Sequence, residues 1–87
     1  MVQGKTESGF EWKIEDWVFD DVEVLELYAE IEEGNGQYIG KLLQKVFGKE
    51  SKKKLYDHVR AEHGNVPYQA LMNEVVEIFN SSEEGKN

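Results

Sequence analysis

Apolar and polar residues alternate strictly in Phe10-Glu11-Trp12-Lys13-Ile14, the period of an extended segment with one buried face. A lone strand needs a partner. This one is expected either to cap a helical core with Phe10, Trp12 and Ile14 inward, or to pair with the same strand of another subunit. The pattern then changes period. Asp20 and Asp21 stand where acids favour a helix start, ahead of a run without Gly or Pro until Gly34, which predicts a first helix over about 20–33.

On a helical wheel of about 100° per residue, Val22, Leu25 and Ala29 form one stripe and Val24, Leu27 and Ile31 another, with Tyr28 between them. Glu23, Glu26, Glu30 and Glu33 fall in a single row. The first helix is therefore expected to be central, with only its acid ridge in water. Gly34-Asn35-Gly36 breaks the pattern, and Tyr38, Ile39, Leu42, Leu43, Val46 and Phe47 at helical spacing predict a second helix over about 37–47, stopped by Gly48. Ser51 can cap a third helix to about His63, with Leu55, Tyr56 and Val59 on its apolar face and Gly64 after its end. Val66-Pro67 opens the last helix, where Tyr68, Met72, Val75 and Phe79 line one face, with Leu71 and Ile78 beside them.

Residues 1–9 and 81–87 are polar and carry glycines, so both are expected as flexible tails around one helical domain at 10–80. The predicted fold is mainly α, a compact bundle of about four helices with a short extended N-terminal segment. A chain of 87 residues leaves no room for a second domain.

Composition narrows the function. Eighteen acids against ten bases give a net charge of −8, which disfavours binding to nucleic acid phosphates. With no cysteine there is neither a disulfide framework nor a thiolate site. No apolar run approaches the roughly 18 residues of a membrane span, and Met1-Val2-Gln3-Gly4-Lys5 lacks the apolar core of a signal peptide, so no membrane association is expected and the expected location is cytoplasmic.

Candidate chemistry is sparse. The two histidines, His58 and His63, stand five apart, about 140° on a helix, unlike the i,i+4 pair that shares a zinc ion. His63 is expected against the last carbonyls of its helix, and His58 on the flank. Ser8 and Ser51 lack a glycine-flanked elbow, and Gly34-Asn35-Gly36 lacks the strand and the Gly-Lys-Ser/Thr of a phosphate loop. No enzyme activity, catalytic residue, metal site or cofactor is expected.

Charge is unevenly spread. Residues 7–33 hold eleven acids and one base, Lys13, whereas residues 41–60 hold seven bases against Glu50 and Asp57. If these stretches reach different faces, the acidic surface of one copy meets the basic surface of the next, a heterologous contact giving a homo-oligomer; otherwise they neutralise each other within the monomer. Lys49, Lys52 and Lys53 are the candidates for self-association. Trp12 and Trp17 either cap the core or anchor a partner.

The order of signatures resembles a known family. Phe10-Glu11-Trp12, then Asp20-Asp21-Val22-Glu23-Val24-Leu25-Glu26, Leu55-Tyr56-Asp57-His58-Val59-Arg60, Glu62-His63-Gly64-Asn65-Val66-Pro67 and Glu74-Val75-Val76-Glu77-Ile78-Phe79 are similar to the small helical tail assembly chaperones of long-tailed (siphovirus-type) phages and prophages of Gram-positive bacteria. The resemblance spans about residues 10–79 and is most specific from Leu55 to Pro67; the Gly34-Asn35-Gly36 link and the less acidic second helix depart from it. It implies a non-catalytic role: keeping the helical tape measure protein soluble until tail tube protein polymerises around it, in the bacterial host cytoplasm and not in the mature virion. It also implies a gene beside that of the tape measure protein and, in many members, a longer frameshifted form, of which this chain is the short counterpart. The residues expected at the partner surface are Trp12 and Trp17 as anchors with Glu23, Glu26 and Glu30 as a polar face. The alternative is an acidic interaction or inhibitor module of phage origin that imitates nucleic acid, against which the basic stretch at 41–60 argues.

Overall fold

A computed structural model describes residues 1–86, with side chains described through residue 82. The chain is mainly α with an N-terminal hairpin. Strands β1 (Val2–Lys5) and β2 (Glu11–Ile14) pair antiparallel, Val2 opposite Ile14 and Gly4 opposite Trp12. The alternation of β2 holds: Phe10, Trp12 and Ile14 are buried while Glu11 and Lys13 face out. Its partner is the stretch 1–9 of the same chain, expected as a flexible tail. That stretch reads as a tail because its inward position, Gly4, carries no apolar side chain. The Trp12 indole fills the place instead, and a Cβ on Gly4 would stand 2.8 Å from Trp12 Cζ2. Gly9, at φ 99°, and the Thr6 N–H donating to the Phe10 carbonyl close the hairpin loop.

A 3-10 turn, Asp16–Asp20, buries Val18 and leads to α1 (Val22–Glu32), whose first turn is capped by the Asp21 carboxylate accepting the Glu23 N–H at 2.9 Å. Gly34, at φ 100°, ends the helix as expected. The central placement expected for this helix is not observed. Val24 and Ile31 are buried, Leu27 and Tyr28 are partly so, and Val22 and Leu25 stay 67% and 63% exposed, because the core covers only one side of α1.

Helix α2 (Ile39–Val59) joins the second and third expected helices into one element bent at Gly48, whose φ of 81° and ψ of 168° are not helical. Among the described residues there are three α-helices, α2 being two helical arms that meet where helical geometry breaks at Gly48, the stop expected there. The first arm buries Ile39, Leu42, Leu43 and Val46, and the second buries Leu55. The helix stops at Val59, short of His63, since Arg60 turns extended (ψ 132°) and a loop closes through the Ala61 N–H to the Asn65 carbonyl.

Helix α3 (Tyr68–Lys86) follows directly on Pro67, whose carbonyl accepts from the Leu71 N–H. Leu71, Val75 and Ile78 form the buried stripe, rotating Tyr68 outward. The helix also runs through most of the stretch 81–87 expected as a tail; Asn87 lies outside the described residues. Ser82 is fully buried, with its hydroxyl donating to the Phe79 carbonyl at 2.8 Å. Ile14, Leu42, Leu43, Leu55 and Ile78, each at most 1% exposed, join hairpin, α2 and α3 in one core.

Candidate functional site

The glutamate row of α1 does not face open water alone. Glu23, Glu26 and Glu30 of α1 and Lys41, Lys45 and Lys52 of α2 line a groove of about 820 Å³, together with Leu27, Ala29 and Tyr38. The i, i+3, i+7 spacing on α1 puts the three carboxylates on one face, and the spacing of four between Lys41 and Lys45 does the same on α2. Ion pairing between the acidic and basic stretches inside the monomer is carried by one base, Lys45. Lys45 Nζ lies 3.0 Å from Asp21 Oδ2 and 2.8 Å from Glu23 Oε1. The hydrogen bonds that Lys45 donates to Glu23 and then to Asp21 raise its pKa above the ordinary lysine value, and the bond from Lys45 holds Asp21 below the usual carboxylate range. Asn35 Nδ2 donates to Glu30 Oε2 at 2.9 Å, which gives the Gly34-Asn35-Gly36 link a role in shaping the groove. Gly40 keeps the α2 side close: its Cβ would stand 3.4 Å from the Tyr56 hydroxyl and 3.6 Å from Lys52 Nζ. Glu26 and Lys41 make no ion pair among the described residues.

The residues singled out from the sequence separate. Trp12 is 6% exposed and belongs to the core, so it is not a surface anchor; Trp17 is 57% exposed, beside the start of α1. The three lysines do not form one patch. Lys52 turns into the groove, its Nζ 5.5 Å from the Tyr56 ring centroid, Lys53 pairs with Asp57 Oδ2 at 3.1 Å, and Lys49 is exposed.

A second polar cluster was not legible in the sequence. Thr6 Oγ1 and Ser8 Oγ both donate to Glu74 Oε1, at 2.8 and 2.9 Å, and His58 Nε2 lies 2.9 Å from Ser8 Oγ. A serine beside an imidazole suggests a nucleophile and its base. The connectivity is different. The Ser8 proton is committed to Glu74, so His58 Nε2 must carry the hydrogen shared with Ser8, and Glu74 sits by that same ring nitrogen, at 4.0 Å, not by the far one. The cluster ties the hairpin loop to α2 and α3 instead. His58 is therefore the engaged histidine, while His63, expected at a helix end, is 85% exposed on the loop beyond α2. Ser8 and His58 stand out in the sequence only separately, because the hairpin-loop residues lie 50 to 68 positions from their partners His58 and Glu74.

Among the described residues no group of three or more His, Cys, Asp or Glu is arranged to hold a metal ion, and no helix is long and apolar enough to cross a membrane. No protein-family model, characterised protein or solved structure matches this chain.

Proposed function

We propose that this chain is a non-catalytic assembly chaperone of the phage tail class, acting without a cofactor, and that the groove between α1 and α2 is where it covers an amphipathic helix of the tape measure protein. The observation that carries the reading is the groove itself. Its lining combines Leu27, Ala29 and Tyr38 with carboxylates from α1 and ammonium groups from α2, which suits a partner helix carrying an apolar stripe and charges of both signs. Each set of charges then orients the partner as well as attracting it. Trp17 supplies an aromatic anchor beside the groove-bearing helix. Covering the stripe removes an exposed apolar surface that would otherwise drive aggregation, and release follows when tail tube protein competes for the partner. The setting is the bacterial host cytoplasm during assembly, and the finished virion lacks the chaperone. The phage context comes from the resemblance between residues 10 and 79, and the groove gives it a physical mode of action.

The test is co-expression with the protein encoded immediately downstream. The expected result is that the partner becomes soluble and co-elutes with several copies of this chain, and that the charge reversals Glu26→Lys and Glu30→Lys abolish the effect while leaving the fold intact by circular dichroism. A partner that is equally soluble alone, or insoluble regardless, would overturn the reading.

A further inference from the structure

Val22 and Leu25, in the outward stripe of α1, lie outside the groove lining, which takes only Ala29 from that stripe. Val22 and Leu25 stand one turn apart, 67% and 63% exposed, and Trp17 in the preceding 3-10 turn is 57% exposed. Asp20 and Glu32 add carboxylates that make no ion pair among the described residues. Isolated exposed apolar residues need no explanation, but three large ones within nine positions, among acids, form a docking surface in search of a basic, apolar partner.

Such a surface exists on the same chain. Between the hairpin and the bend of α2 lies a second groove, of about 620 Å³, with Phe10, Trp12 and Phe47 on its floor and Lys5, Lys13 and Lys54 at its rim. Lys5, Lys13 and Lys54 make no ion pair among the described residues, and the one carboxylate in the lining, Glu11, stands across from Lys5 in the strand register, farther along from Lys13 and Lys54. We propose that the outward face of α1 docks into the hairpin groove of a second copy, head to tail. Val22, Leu25 and Trp17 meet the aromatic floor, and Asp20 and Glu32 meet Lys13 and Lys54.

The two surfaces share no residue, so a docked copy keeps one of each open. The contact is heterologous and propagates into a chain or a ring. Val22 and Leu25 lie outside the lining of the α1–α2 groove, so every copy in such a chain can still hold a partner helix. The inference does not rest on the chaperone reading, since it concerns this chain alone. A standard interface takes about 800 Å² per partner, about a seventh of the 5843 Å² surface of this chain. Two turns of helix supply less than that. Association is therefore weak, concentration-dependent and reduced by salt.

Sedimentation velocity of the full chain over a concentration series, at low and high salt, tests it. The wild type is expected to grow in mass with concentration, less so at high salt. Two variants, Val22→Lys/Leu25→Lys and Lys13→Glu/Lys54→Glu, are each expected to weaken self-association by about tenfold or more. All four positions are outward or at a groove rim, so both are expected to melt like the wild type; if the first does not fold, Asp20→Lys/Glu32→Lys replaces it. Mixed in equal amounts, the two variants are expected to form a dimer and stop there, because each retains one intact half of the contact. A monomeric wild type at every concentration, a lysine variant that assembles like the wild type, or a mixture that stays monomeric would each overturn the proposal.

Discussion

Thr6 Oγ1 donates to Glu74 Oε1 over 2.8 Å, a bond between residues 68 apart that fastens the hairpin loop to α3. Thr6 and Glu74 are 4% and 8% exposed, and no buried side-chain polar atom among the described residues lacks a partner. Removing the carboxylate takes the shared acceptor from both hydroxyls and leaves them only each other and His58. Glu74→Ala is therefore expected to cost about 1–3 kcal/mol, and Glu74→Gln less, because an acceptor remains. Urea unfolding followed by circular dichroism measures both, and wild-type stability in Glu74→Ala would show that the cluster contributes nothing.

The bend in α2 depends on Gly48. Its φ of 81° and ψ of 168° fall in a region essentially restricted to glycine, while a Cβ there would meet nothing within 4 Å. Gly48→Ala is expected to destabilise by about 1–3 kcal/mol through backbone strain alone. Gly4→Ala acts differently, by driving a methyl group into the Trp12 ring. Its expected signature is a change in tryptophan emission together with a lower melting temperature, whereas Gly48→Ala leaves the emission of the folded state unchanged.

The Lys45 bridge gives a signed pH dependence. Asp21 is held below the usual carboxylate range, chiefly by its bond from Lys45, so its contribution is full above the unfolded value and is lost as pH falls through the lowered folded value, below about pH 4. Lys45 is raised, so its contribution is full below the ordinary lysine value and is lost as pH rises through the higher folded one. Both side chains touch water, so added salt weakens the effect. Asparagine caps a helix as well as aspartate does, which lets Asp21→Asn remove the charge and keep the cap. That variant is expected to flatten the acid limb of the stability curve and to be less stable than the wild type through the middle of the pH range, the two curves converging as the wild type loses the charge in acid. An acid limb identical to the wild type would contradict the assignment.

The two tryptophans are expected to behave oppositely. Trp12→Ala empties a core position and is expected to cost about 3–5 kcal/mol, whereas Trp17→Ala is expected to stay within about 0.5 kcal/mol. Acrylamide quenching of single-tryptophan variants gives an independent check: Trp17 is quenched readily and Trp12 poorly. Equal quenching would place Trp12 at the surface.

What could be seen in the sequence was local. The alternation of β2, the Asp21 start and Gly34 stop of α1, and the proline entry to α3 all depend on neighbours within a few residues, and all are found in the structure. What escaped depends on distant residues. β1 has no apolar signal at Gly4 because Trp12, on the other strand, fills the space. The exposed stripe of α1 reads as core on a helical wheel, since nothing in the wheel says that only one side will be covered. The acid row was legible, but its lysine counterpart was not, because α2 brings Lys41 and Lys45 into the same groove only after folding. The Ser8, His58 and Glu74 cluster draws one residue from each of three elements.

Hydrogen–deuterium exchange of the chain alone and in complex with the co-expressed downstream protein tests the central claim most directly, because it reports where the partner lies. The expected result is slowed exchange along α1 and the first arm of α2, which line the groove, with α3 unchanged. Exchange on those two elements that is the same with and without the partner would contradict the account.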